Sequence, residues 1–200
     1  MNCKYQSRYL IHQTNKRESL VAKSLELFKD EKFDFDDVIK SRRSVRKFID
    51  RKIKAKQIKE VLNYAKYSPS SCNRQAVCLK IVKKKYDKNL VGELLVGGKG
   101  WINKAGFIIL LFADMKAYKS PNEVLFMPFL DAGVIGMTLS LGAEKLGYGA
   151  CIVNPNVRAE DTNQFNNNFN DKGLKFCMAV AVGYQGIELP KRENVLNICK

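Results

Sequence analysis

One histidine, His12, stands in a chain of 200 residues, and no two of its six cysteines are spaced as C-x-x-C. A structural zinc site usually needs about four Cys or His ligands close together, so the scattered Cys3, Cys72, Cys78, Cys151, Cys177 and Cys199 do not suggest one. A Ser–His or Cys–His nucleophile would have to take its base from His12, in a polar leader. Cys78 and Cys177 lie in apolar runs and read as core residues; thiols dispersed in this way suit a reducing cytoplasm better than a disulfide framework. Nucleotide loops are missing as well. "GYGACIVNP" lacks G-x-G-x-x-G and follows a helix, and "GGKG" at 97–100 is not continued as a P-loop. The opening "MNCKYQSRYLIHQTNKRE" has no apolar h-region, so no secretory signal is expected. Carboxylates are scarce too: 20 Asp and Glu face 35 Lys and Arg, a net charge of +15. That balance favours anionic partners without choosing among nucleic acid, acidic membrane and small molecules.

Apolar residues make up 46% of the chain and aromatics 10%, enough for one domain with a real core. Residues 1–33 read as a leader that includes an amphipathic helix in "ESLVAKSLELFKDE", and residues 34–200 as the domain proper. Asp34 or Asp36 can cap a short helix ending near Ser41. "AKQIKEVLNYAKYS" places Ile58, Val61, Leu62 and Ala65 at helical spacing and stops before Pro69. "AVCLKIVKK", "AGFIILLFAD", "ACIVN" and "FCMAVAVGY" read as strands, and "NQFNNNFND" as a loop or helix edge. "VLFMPFLDAGVIGMTLSLGA", 124–143, is apolar enough for a membrane span, but Asp131 and Pro128 interrupt it. A helix buried in a core or a subunit interface is the expectation, closed by a left-handed Gly147. The interleaving of helices and strands, without a strict βαβ rhythm, implies α+β around a mixed sheet.

Two polar stretches concentrate the chemistry. "SRRSVRKF", 41–48, sets Arg42, Arg43, Arg46 and Lys47 beside Ser41 and Ser44, as a phosphate would require. "YSPSSCNRQAV", 67–77, offers serines with Asn73 and Gln75, amides able to read the polar edge of a heterocycle. Taken singly, the first could be a solvated charge run and the second a turn fixed by Pro69. Near the end, "LPKRENV" adds Lys191 and Arg192.

The ordered set R-R-S-V-R, S-P-S-S-x-N-x-Q, D-A-G in the long apolar helix, L-G-Y-G, V-G-Y and P-K-R resembles the nitroreductase family of flavin enzymes, from about Asp36 to Arg192. The resemblance implies an α-β-α sandwich around a mixed, mainly antiparallel sheet, and an intertwined homodimer with FMN at each subunit interface. It implies that Arg42, Arg43, Ser44, Lys191 and Arg192 hold the phosphate and ribityl chain. Arg46 would face the pyrimidine end of the ring system, with Asn73 and Gln75 on its polar edge. Pro69, Ser70, Ser71, Val153 and Asn154 complete the implied cofactor-binding set. No side chain is expected to be catalytic in its own right, since the flavin carries the reaction and a cation at Arg46 tunes it. NADH or NADPH is the implied donor, in a ping-pong cycle whose acceptor is nitroaromatic or quinone-like. Two alternatives stay open: a basic module that binds nucleic acid or other polyanions without chemistry, and a flavin store or redox sensor of the same fold. Colour separates the first of these from a flavoprotein.

Overall fold

The computed structural model describes residues 34–170 and 172–186. The leader helix expected in 18–31, His12, Lys191 and Arg192 lie outside the described residues. The order is α1 (Phe35–Ser41), β1 (Phe48–Ile49), α2 (Ala55–Ala65), β2 (Val77–Val82), α3 (Lys85–Leu94), β3 (Phe107–Ala113), α4 (Pro121–Lys145), β4 (Gly149–Val153), α5 (Thr162–Phe169) and β5 (Lys175–Gln185). Asp34 occupies the N-cap position of α1, but its carboxylate makes no cap bond. Asp36 and Asp37 in the first turn complement the positive end of the helix instead.

β3 lies between β2 and β5, and β5 also pairs with β1 and with β4. All these ladders are antiparallel. The sheet is mainly antiparallel, as expected, and its parallel element is a single bridge between Ser44 and Ala150. The reason lies in the connections: α3 and the turns after it return the chain to the sheet end it left, so β3 enters against β2, with Val82 opposite Ile108.

Alternation along β3 separates two cores. Phe107, Ile109 and Leu111 pack with Ile58 and Val61 of α2 and with Ala132, Leu139 and Ala143 of α4. Ile108, Leu110 and Phe112 pack with Leu90, Val91 and Leu94 of α3 and with Phe165 and Phe169 of α5. Helices cover both faces, which is why "FIILLFA" is an unbroken apolar run. The asparagine-rich segment is helical because its two phenylalanines, one turn apart, reach this second core. Cys177 is buried as expected, but Cys78 is exposed. β2 is an edge strand paired with β3 alone, and the helical cover on the Cys78 face reaches Val82 without extending to Cys78.

α4 starts from a capping box. Ser120 Oγ accepts from Asn122 N, and the Glu123 carboxylate accepts from Ser120 N. It ends as expected at Gly147, whose φ of +80° favours glycine. Gly142 lets α4 approach α2, since a Cβ there would stand 2.4 Å from Cγ of Tyr64. By length and composition α4 could cross a membrane. It packs one face on the sheet and α2, while Leu125, Phe126, Leu130, Val134 and Met137 stay exposed. The helix expected to be buried on every side is thus covered on one side by its own chain.

Candidate functional site

The basic stretch is fixed to the sheet by its backbone. Val45 N donates to Ala150 O at 2.9 Å, so residues 44–45 run along β4, on the side away from β5. Val45 is buried and anchors the segment, while Arg42 and Ser44 before it are half-buried and Arg46 after it is exposed. Arg42, Ser44 and Arg46 all act electrostatically on the Cys151 thiol of β4. Burial pushes the Cys151 thiol above its usual range, and Arg46, a hydrogen bond from Ser44 and Arg42 each act in the opposite direction. Among the described residues no carboxylate pairs with Arg42 or Arg46. Two uncompensated guanidiniums and a hydroxyl make a donor set that suits a phosphate monoester.

Arg43 has a different task. Its Nη1 donates to the carbonyls of Lys40, Ser41 and Arg42 at 2.7, 2.9 and 3.1 Å, closing the end of α1. One edge of the guanidinium is thus turned back onto its own helix. Its Nε stays buried without an acceptor among the described residues, an orphan donor beside Arg42 and Ser44.

Residues 96–101 join this group, and nothing in the sequence singled them out beyond the failed P-loop. The Arg46 guanidinium lies 6.0 Å from the ring centroid of Trp101. That ring stacks on Phe48 at 6.2 Å, and its Nε1 donates to Gly97 O at 3.0 Å. A Cβ on Gly97 would come within 3.0 Å of Val153 Cγ1 and 3.1 Å of Asn154 Oδ1. The glycine turn therefore presses on Val153 and Asn154 while its tryptophan supports Arg46.

The second polar stretch is held differently. Cys72, Asn73 and Gln75 all have positive φ, at 49°, 53° and 53°. Left-handed backbone costs about 1–2 kcal/mol for an ordinary residue, and only Asn adopts it at all readily. Side chains compensate. Asp131 Oδ1 accepts from both N and Oγ of Ser71 at 2.8 Å, and its Oδ2 accepts from Tyr118 Oη at 3.0 Å. Arg74 Nη2 meets Glu123 Oε1 at 3.0 Å. Ser70 Oγ accepts from Gln75 N, and Gln75 Nε2 donates to Asn73 Oδ1. Pro69, Asn73 and Gln75 are exposed; Ser70 and Ser71 are half-buried. Asp131 carried a visible signal, a lone carboxylate in an apolar helix, without any pattern to say what it would bind.

The two stretches do not meet. The basic one flanks β4, the other leads into β2, and β5 and β3 lie between. Three strand spacings, about 14 Å, separate β4 from β2. Within one chain the expected cofactor residues therefore fall into two groups on opposite flanks of the sheet.

Comparison with known proteins now decides the family. The nitroreductase family profile matches residues 39–96 and 88–184. The chain belongs to the nitroreductase family. FMN reductase (NAD(P)H) of Bacillus subtilis (strain 168) is 30% identical over 131 residues, which are 57% of this chain and 52% of that protein. The chain thus spans about half the length of this curated relative. Three solved structures share the fold. A nitroreductase family protein from Streptococcus pneumoniae TIGR4 has a TM-score of 0.70 at 19% identity, covering 82% of this chain and 96% of its own. A protein from Exiguobacterium sibiricum 255-15, crystallised in complex with FMN, has a TM-score of 0.69 at 18% identity, with coverages of 82% and 94%. An FMN-dependent nitroreductase from Clostridium difficile R20291 has a TM-score of 0.66 at 24% identity, with coverages of 78% and 90%.

Proposed function

We propose that this chain is the subunit of a cytoplasmic homodimer that binds FMN and catalyses NADH- or NADPH-driven reduction of a small organic acceptor, nitroaromatic or quinone-like. The observation that carries the reading is the division of one donor set into two half-sites. A flavin that uses both needs the basic flank of one chain and the 69–75 loop of another. The exposed apolar ridge of α4, from Leu125 to Met137, supplies a surface for that pairing. Relatives support the chemistry, since one is an FMN reductase and another holds FMN.

Bound FMN would supply two-electron hydride chemistry that no side chain here provides. The residues have narrower tasks. Arg42 and Ser44 bind the phosphate, and the orphan Nε of Arg43 offers a further donor. Arg46 places a fixed positive charge where negative charge develops on reduction, held from below by Trp101. Ser70, Ser71, Asn73 and Gln75 shape the opposing wall, and Val153 with Asn154 closes the end next to the glycine turn. Lys191 and Arg192, outside the described residues, are proposed as additional phosphate contacts.

Purified protein should be yellow or take up FMN, and should oxidise NADH or NADPH when an acceptor is supplied. Colourless protein that acquires no flavin absorbance on incubation with FMN would overturn the reading. Flavin binding without donor oxidation would make the protein a flavin store instead of a reductase.

A further inference from the structure

We propose that Asp131 is the positioning residue of the 69–75 loop: from α4 it fixes Ser71 and so holds a backbone that is left-handed at Cys72, Asn73 and Gln75 in the shape that grips flavin. The inference rests on the flavin reading above and adds to it a residue that touches no cofactor. Asp131 is 3% exposed, and its partners are the loop on one oxygen and Tyr118 on the other. A buried carboxylate is tolerated only when hydrogen-bonded, and here three donors meet it. Two of those donors belong to the residue immediately before the first left-handed position.

α4 reaches the loop along one stripe, Glu123, Met127 and Asp131, spaced by four residues. Glu123 bonds Arg74, Met127 Sδ lies 2.9 Å from Ser71 Oγ, and Asp131 accepts from Ser71 twice. Leu125, Phe126 and Leu130 are exposed on the same helix. One rigid element therefore carries both the loop's tether and the apolar ridge, so the helix that would seat a second chain also shapes the wall offered to that chain's flavin. Three strained residues within four positions, Cys72, Asn73 and Gln75, would relax without the tether, since nothing in their own side chains favours left-handed backbone except at Asn73.

The test uses the full-length chain, with FMN and riboflavin as probes and fold integrity followed by circular dichroism. Asp131→Ala should weaken both flavins alike, on the order of 10- to 100-fold, the scale of a lost bond to a charged acceptor. Asp131→Asn should restore most of that affinity, because its Oδ1 can still accept from Ser71 N and its Nδ2 can donate to the Tyr118 oxygen. Tyr118→Phe removes the bond that does not reach the loop, and should lower the melting temperature while leaving flavin affinity within about threefold. Should Asp131→Ala not fold, Ser71→Ala deletes the hydroxyl bond alone and should cost a smaller, again equal, loss for both flavins. A purely structural Asp131 predicts lower melting temperatures with wild-type flavin affinity in every folded variant, which would overturn the inference alone. Wild-type protein that binds no flavin would overturn the functional reading, and this inference with it.

Discussion

The two proposed half-sites are built on opposite principles. On the β4 flank the backbone does the holding: a parallel bridge at Ser44 and a buried Val45 fix the strand, leaving Arg42 and Arg46 without carboxylate partners among the described residues. On the α4 flank the charges are already matched, Arg74 by Glu123 and the Asp131 carboxylate by three donors, and what is offered is a strained shape. One side presents unneutralised charge and the other a preformed wall. The first should dominate affinity for the phosphate, and the second should act on whatever both FMN and riboflavin contain. Neither alone should hold a flavin well.

Separating the halves is the strongest test of that contrast. Leu130→Glu places a carboxylate on the exposed ridge of α4, where the side chain is 56% exposed and its own chain is indifferent to charge. Burying that charge against a second chain is prohibitive without a partner. Light scattering should report a monomer with an unchanged fold, and FMN affinity should fall by more than about 100-fold although no proposed cofactor residue has been altered. A monomer that keeps its flavin would mean that one half-site suffices.

Next in size is the phosphate itself. Arg42→Ala should cost FMN about 2–3 kcal/mol, the scale of a lost charge-assisted bond. Riboflavin, without the phosphate, should be affected far less. The ratio of the two losses distinguishes the flanks: unequal on the β4 side, equal on the α4 side. Equal losses for Arg42→Ala would assign that arginine to structure.

Most of the framework was legible in residue order. The four main strands, the long helix and its Gly147 stop follow from periodicity and turn chemistry, which are local properties of the chain. What escaped was decided by tertiary neighbours. Arg43 looks like Arg42 in the sequence, yet the three carbonyls at the end of α1 capture it. Cys78 sits in an apolar run, but edge position in a sheet is not encoded in a run. The two polar stretches suggested a single site, and only strand order reveals that β5 and β3 separate them. Trp101 gave no pattern at all, because its role depends on a stacking partner, Phe48, and a cation, Arg46, more than 50 residues earlier in the chain.

Arg46 and Trp101 give the finer tests, both read as potentials on FMN-saturated protein. Arg46→Gln keeps hydrogen-bonding capacity and removes the charge, so the reduced flavin, which carries more negative charge, should lose more affinity than the oxidised form. A redox titration should show the midpoint lowered by about 30 mV, which for a two-electron couple is about 1.4 kcal/mol. Coincident midpoints would remove Arg46 from the chemistry.

The smallest effect belongs to Trp101. Its ring lies under the Arg46 guanidinium without touching the charge-bearing residues of the other half-site. A cation–π contact at an exposed arginine is worth about 0.5–1 kcal/mol, and only part of that would be felt as a change in where the charge rests. Trp101→Leu keeps an apolar surface against Phe48 but removes the quadrupole beneath the cation. The midpoint should therefore fall in the same direction as for Arg46→Gln, by about a third to a half as much. Combining the two substitutions sharpens the point: if Trp101 acts only through Arg46, the double variant should match Arg46→Gln alone. Additive shifts would show that the tryptophan influences the flavin independently, by packing or by excluding water. An unchanged midpoint in Trp101→Leu would leave Arg46 positioned by its backbone strand alone, making the β4 flank a purely main-chain device.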